Sequence, residues 1–152
     1  MAWTVTAAVT HRRGNYIKVK IACLSDNDGM AALDILTLDP AGGSGSIVES
    51  TTKTGRTLRE ELEGVTLMAI KADPGTAPDT TWDFTISDDE GDAIYISTEN
   101  STTAISWHDM STDIAMYPPI FNKLYLTFPT DADWTANDVV DLHLIGWREA
   151  RY

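Results

Sequence analysis

Apolar residues recur in this chain with a period of two, and that alternation constrains the fold more than any other feature. Trp3, Val5, Ala7 and Val9 alternate with Thr4, Thr6, Ala8 and Thr10. Successive side chains of a strand point to opposite faces, so this is the pattern of a half-buried strand. Its β-branched residues suit a pleated surface. His11-Arg12-Arg13-Gly14-Asn15 reads as a turn, and Tyr16 to Leu24 as the returning strand of a hairpin. Lys18 and Lys20 mark its wet face. Ile17, Val19, Ile21 and Cys23 share the dry one.

The same logic runs down the chain. Ser25-Asp26-Asn27-Asp28-Gly29 is a turn in which Gly29 is expected to take positive φ, and Ala32 to Leu38 is a third strand. Asp39 to Ser46 reads as a flexible surface loop by composition. Thr57 to Glu63 is one short helical turn, with Thr57 as cap and Glu60 completing a capping box. Val65 to Lys71 is a strand, and the two prolines and glycine of Ala72 to Asp79 are expected to end it. Trp82, Phe84 and Ile86 define another strand, Asp88-Asp89-Glu90-Gly91 turns it, and Ala93 to Ser97 returns. Ser101 to Tyr117 reads as a long loop with a short strand or helix. Lys123 to Phe128 and Val139 to Trp147 are the last strands, separated by a polar loop around Trp134.

About eight strands separated by turn chemistry, with no strong amphipathic helix, predict an all-β fold: an antiparallel β-sandwich or small barrel with long loops. A chain of 152 residues is the size of one domain, so residues 1–152 are read as a single β domain. An apolar fraction of 43% suffices for a core without disulfide or metal staples.

Charge narrows the function. The formal net charge is −12, from 11 basic and 23 acidic residues. A nucleic-acid binder needs a basic face to release counterions from phosphate, and anionic lipid makes the same demand. Neither nucleic acid nor membrane is therefore an expected partner. Met1-Ala2-Trp3-Thr4 has no basic n-region or apolar h-region, and no apolar run is long enough to span a bilayer, so synthesis in a cytoplasm is expected. The single cysteine, Cys23, lies on the dry face of its strand and reads as a small buried residue with no histidine near it in sequence.

No segment carries a catalytic signature. Ser106-Trp107-His108-Asp109 holds the residue types of a triad, but neighbours in sequence cannot converge as nucleophile, base and acid must. Gly42-Gly43-Ser44-Gly45 lacks the Lys-Ser/Thr and helix of a phosphate loop. The acidic turns at Asp26 and Asp88 miss the calcium-loop spacing, and His11, His108 and His143 are too scattered for zinc. A glycosidase would need paired carboxylates in a deep cleft, for which a chain this small has little room beside its core. No enzyme, cofactor or metal is expected.

The tryptophans are more informative. Trp82 and Trp3 fall in alternating strands, which points to the core. Trp107 and Trp134 stand in polar, loop-like segments, and Trp147 precedes Arg148-Glu149-Ala150-Arg151-Tyr152. Aromatics and arginine outside the regular pattern either fold back over the ends of the sandwich or anchor a partner. With the N-terminal strand counted as a second contact surface, the interface candidates are Trp3, Trp107, Trp134, Trp147, Arg148 and Tyr152.

One stretch resembles a known family. Ala72-Asp73-Pro74-Gly75, a second proline at Pro78, then Trp82-Asp83-Phe84-Thr85-Ile86, the acidic turn and Gly91-Asp92 are similar to a segment of small structural proteins of tailed bacteriophages. Pro118-Pro119 followed by alternating apolar residues, and Asp141-Leu142-His143-Leu144-Ile145, resemble the way those proteins return to a final strand. The resemblance covers roughly the C-terminal half. Ile94 to Thr98 departs from it, running on as strand where some members carry a Gly/Asn-rich loop, and the N-terminal hairpin lies outside it. It implies a capsid decoration (cement) protein on the surface of the virion. Such a protein binds the major capsid protein of the expanded head and groups as a homotrimer. A tail or baseplate component, or a head-tail adaptor, is the first alternative. The second is a carbohydrate-binding module with Trp107 and Trp134 as sugar platforms.

Overall fold

The computed structural model describes residues 3–26, 28–36, 58–75, 80–97, 99–129, 134 and 137–148, and the backbone of 39–40 and 46–47. The fold is an all-β sandwich of two separate sheets. Its strands are β1 (Thr4–Arg13), β2 (Tyr16–Leu24), β3 (Met30–Asp34), β4 (Asp39–Pro40), β5 (Ser46–Ile47), β6 (Thr66–Pro74), β7 (Thr85–Ser87), β8 (Ala93–Ile96), β9 (Ser106–Asp109), β10 (Tyr125–Phe128) and β11 (Val139–Trp147). Two short helices join them, α1 (Leu58–Leu62) and α2 (Met110–Asp113). The six-stranded sheet runs β5-β1-β2-β11-β6-β9, and the five-stranded sheet β4-β3-β10-β7-β8. All pairs are antiparallel except the two-residue contact of β5 with β1.

The alternation decides which face is which. In β2 and β11 every second residue is buried: Ile17, Val19, Ile21 and Cys23, then Val140, Leu142 and Leu144. The five-stranded sheet answers with Met30, Leu33, Ile86, Leu126 and Phe128. Trp82, Phe84 and Ile86 keep their alternation and are fully buried. The ladder itself spans only Thr85–Ser87, and Trp82 makes one isolated bridge to Asn100.

Several local expectations change. Gly29 does not need positive φ. A Cβ there would lie 2.4 Å from the Phe128 carbonyl oxygen, so the glycine permits close backbone approach. Gly14 and Gly91 are the turn glycines with φ of 59° and 89°. β6 runs on through Pro74, which pairs with Val140. Its ladder to β9 has already ended at Ala72, and a residue without an N–H is tolerated at such an edge. The ends of the Asp39–Ser46 stretch supply β4 and β5, one edge strand to each sheet. Thr57, the expected helix cap, lies outside the described residues.

Two arginines fasten α1. Arg12 at the end of β1 pairs with the buried Glu61 carboxylate. The Arg148 guanidinium donates to the carbonyls of Glu60, Glu61 and Glu63 at 3.2, 2.6 and 3.0 Å. The last turn of a helix leaves its carbonyls without intrahelical partners, and Arg148 satisfies them.

At one end of the sandwich four rings pack together. Trp3 stacks on Phe128 with centroids 4.6 Å apart, and Trp134 meets Trp3 edge-on at 4.8 Å. Trp82 lies 6.1 Å from Trp134 and 6.3 Å from Phe128. Trp3 and Trp134 are therefore core residues and not surface anchors, with exposures of 2% and 4%. Each ring removes a large apolar area from water, and edge-on or offset contacts add to that.

Candidate functional site

The outer face of the six-stranded sheet carries two regular rows of outward-facing, mostly half-buried side chains. Antiparallel register places Ala8 opposite Lys20, Lys20 opposite His143, His143 opposite Lys71, and Lys71 opposite Trp107. These five residues form one straight row across β1, β2, β11, β6 and β9. Two residues further along each strand, the next row on the same face holds Thr6, Ala22, Asp141 and Asp73. Ile105, two residues before Trp107 and on its side by alternation, continues that second row beyond the start of β9.

The two rows differ in charge. The first carries Lys20 and Lys71 on either side of His143, and the second carries Asp141 and Asp73 directly opposite one another, where like charges repel. Lys20 finds partial relief from Asp141 at 3.5 Å, and the Lys71 ammonium lies 6.0 Å from the centroid of the Trp107 ring. His143 is held below the ordinary histidine range by burial first, then by Lys18 and Lys71, with Lys20 adding and Asp141 opposing. Its Nδ1 is buried without a hydrogen-bond partner. At neutral pH the row therefore reads Lys⁺, neutral His, Lys⁺, then an indole.

Trp107 is 62% exposed, the most exposed large apolar side chain of the chain's described part. Around it in sequence Ile105, Met116, Tyr117 and Phe121 are exposed as well. Of the other interface candidates, Trp147 is half-buried at the end of β11, paired with Tyr16 and Thr66. Arg148 is occupied by the carbonyls of α1, so it is a structural clasp and not a free anchor. Tyr152 lies outside the described residues. Trp3 and Trp134, as shown above, are buried.

His108 does not form a triad with its neighbours. In β9 it points inward, whereas Trp107 and Asp109 point out. Asp109 caps α2, accepting from the Ser111 N–H at 2.9 Å and the Ser111 hydroxyl at 2.8 Å, which holds its carboxyl below the usual range. His108 belongs instead to a buried hydrogen-bond network. Asn100 Nδ2 donates to the Trp82 carbonyl and to Ser97 Oγ, both at 2.8 Å. Its Oδ1 is then the acceptor for His108 Nε2–H at 2.7 Å. Ser97 Oγ also accepts the Phe84 N–H at 2.9 Å.

The other ring nitrogen of His108 lies 2.5 Å from the Tyr95 hydroxyl. Burial lowers the His108 pKa, with Asp113 opposing, so the ring is neutral and Nδ1 accepts from Tyr95. Asp113 Oδ2 stands 3.2 Å from the same hydroxyl. Burial first, then the Asp113 charge, push the Tyr95 phenol up to about 12. Phe84 meets the His108 ring edge-on at 5.4 Å and packs on Tyr95 at 6.0 Å, so an apolar ring covers both polar groups. Tyr95, Asn100 and Ser97 are not marked by the sequence, because no strand or turn pattern shows which side chains of β8 and the following segment will meet His108 of β9.

The acidic turns use their carboxylates locally. Asp88 Oδ1 accepts the N–H groups of Glu90 and Asp92 at 3.0 and 2.9 Å, and Asp28 Oδ1 that of Gly29 at 2.7 Å. Among the described residues no three His, Cys, Asp or Glu side chains gather as metal ligands. An open depression of about 340 Å³ on the five-stranded sheet is lined by Ala32, Ser87, Asp89, Glu90, Gly91, Tyr125 and Thr127. Among the described residues no helix is long and apolar enough to cross a membrane. No protein-family model matches the chain, and no curated protein is recovered as a relative.

Proposed function

We propose that this chain is a structural component of a tailed-phage virion: a decoration protein that covers the outside of the expanded head. In this reading it is made in the host cytoplasm, binds the major capsid protein and groups as a homotrimer on the shell. Its function is mechanical, and no step of covalent chemistry is assigned to it. Many weak contacts, engaged together, would resist the pressure of packaged DNA by avidity.

The observation that carries the reading is the placement of Trp107 and its apolar neighbours. Ile105 and Trp107 stand exposed at the β9 edge of the sheet, and Met116, Tyr117 and Phe121 in the irregular segment between α2 and β10. Exposed apolar groups rimmed by charge mark protein contact surfaces, and tryptophan and tyrosine are the commonest anchors there. The resemblance of the C-terminal half to phage structural proteins supplies the identity of the partner.

Co-sedimentation with expanded capsids tests this. Recovery in hundreds of copies per particle is expected, and the Trp107→Ala variant should bind more weakly. A protein that leaves capsids untouched would sink the reading. A few to dozens of copies in the virion would instead favour a tail or baseplate position. The carbohydrate-binding alternative loses one of its two platforms with the burial of Trp134, and a glycan array that retains the protein through Trp107 would be needed to revive it.

A further inference from the structure

We propose that the outer face of the six-stranded sheet is a two-fold contact surface for a second copy of this chain. The register of the ladders carries it. Take an axis lying across the strands, midway between the row of Lys20, His143, Lys71 and Trp107 and the row of Asp141 and Asp73. Rotation by 180° about it lays the first row of one copy over the second row of the other.

The pairs that result are oppositely charged on β6, able to hydrogen-bond on β11 and apolar on β9. Lys71 meets Asp73 of the other copy, and His143 meets its Asp141. Trp107 meets its Ile105. On β1 and β2, Ala8 meets Thr6 and Lys20 meets Ala22, where small side chains let the two sheets approach. A two-fold contact is self-complementary, so each pair forms twice. Stacked sheets pack about 10 Å apart with strands nearly aligned, and a rotation about an axis across the strands keeps them aligned.

Within one copy the same face is poorly matched. Lys20 is matched by Asp141 at 3.5 Å, but Lys71 has only the neutral His143 and the Trp107 ring beside it, and Asp73 lies opposite Asp141, a charge of its own sign. Cross-strand neighbours of like charge are destabilising. Trp107 and Ile105 are 62% and 46% exposed at the same edge. The second copy answers the charge rows and the apolar edge with a single rotation. This is a different occupant from an acidic partner, because the face presents both signs in separate rows.

The contact is one of the free protein and needs no capsid; because it covers Trp107 and Ile105, which the capsid reading also uses, the pair must part before that edge seats on a shell. It is also different in kind from a three-fold grouping on a shell. Sedimentation equilibrium of the full chain at low ionic strength tests it. The wild type is expected at twice the 16.7 kDa chain mass. Lys71→Glu alone, or Asp73→Lys alone, sets like charges across the axis twice and should weaken the pair on the order of 100-fold. The exchange K71E/D73K in one chain restores opposite charges and should recover association to within about tenfold of wild type. Ile105→Ser, at an exposed position where folding is not at stake, should weaken it about tenfold. Circular dichroism establishes that each variant is folded.

A wild type that stays monomeric at all concentrations overturns the proposal. So does a trimer indifferent to both reversals, or an exchange variant as weak as its parents. None of these outcomes bears on whether the protein sediments with capsids, so the two readings fail separately.

Discussion

Two regions at the same depth of this sandwich are built on opposite chemistry. Around Trp3, Trp82, Phe128 and Trp134 the interior is filled by rings, and only shape decides whether it packs. Trp3 and Trp82 find carbonyl acceptors at Asp28 and Ser101, while the Trp134 indole N–H is buried without a partner. Around Tyr95, His108, Asn100 and Ser97 the interior is polar, and donor–acceptor counting decides. Phe84 touches both, 6.2 Å from Trp82 and 5.4 Å from His108. The aromatic end tolerates one unpaired donor because ring burial outweighs it. The polar end cannot, since a half-satisfied network is worse than none.

The largest effect expected is at the aromatic end. Trp82→Ala should lower unfolding free energy by about 3–5 kcal/mol in urea titration, through a cavity among three other rings. A loss under about 1 kcal/mol would mean that shape does not govern that end. Next comes Asn100→Ala, expected to cost about 2–3 kcal/mol. It leaves His108 Nε2–H without its acceptor and takes one donor each from the Trp82 carbonyl and Ser97 Oγ, which keep the residue 100 and Phe84 backbone N–H groups.

Tyr95→Phe should cost less, about 1 kcal/mol, because it removes one hydroxyl and leaves His108 Nδ1 as an unpaired acceptor. The comparison predicts that Asn100→Ala exceeds it. Equal losses would show that the network is not cooperative. The polar end should also be the pH-sensitive one. The folded pKa of His108 lies below its unfolded value, so the native state binds fewer protons in that window. Stability is then flat above about pH 6.5 and declines as pH falls through that value toward the folded pKa. His143 contributes in the same direction. Thermal melts of His108→Gln against wild type should show a shallower decline, and parallel curves would assign the slope to His143 alone.

The smallest stability effect belongs to neither region. Trp107→Ala, at an exposed edge, should change unfolding free energy by no more than about 0.5 kcal/mol. A loss like that of Trp82→Ala would mean that Trp107 is part of the core after all.

How much of this could be read beforehand follows the range of each interaction. Strands β1, β2, β10 and β11 were legible because burial alternates along them, and Cys23 is buried where its strand placed it. Trp134 was not, because its polar neighbours carry no period and its partners Trp3 and Trp82 are far away in sequence. Pro74 misled, since a proline ends a strand only where its ladder continues on both sides. The reason for Gly29 was hidden for a similar cause: the backbone it makes room for belongs to Phe128. The rows of the outer face needed pairing between residues 20, 143, 71 and 107, which no local pattern supplies. Composition did mark the chain as acidic, but not that three of its lysines, Lys18, Lys20 and Lys71, share one face.

The place of β11 has a consequence for how the chain is made. Among the described residues it is the last of eleven strands in sequence, yet it sits between β2 and β6 and pairs with both along its length. A ribosome delivers those two neighbours long before the strand that joins them. Until Val139–Trp147 emerges, β2 and β6 each present an open ladder edge, and the larger sheet is two fragments. Closure must bring together residues more than a hundred positions apart, as the pairing of Cys23 with Val140 records. Such non-local pairing is slow and leaves unpaired edges exposed while it waits. The nascent chain is therefore most vulnerable to wrong partners during synthesis, and its larger sheet completes only once its central strand has left the tunnel.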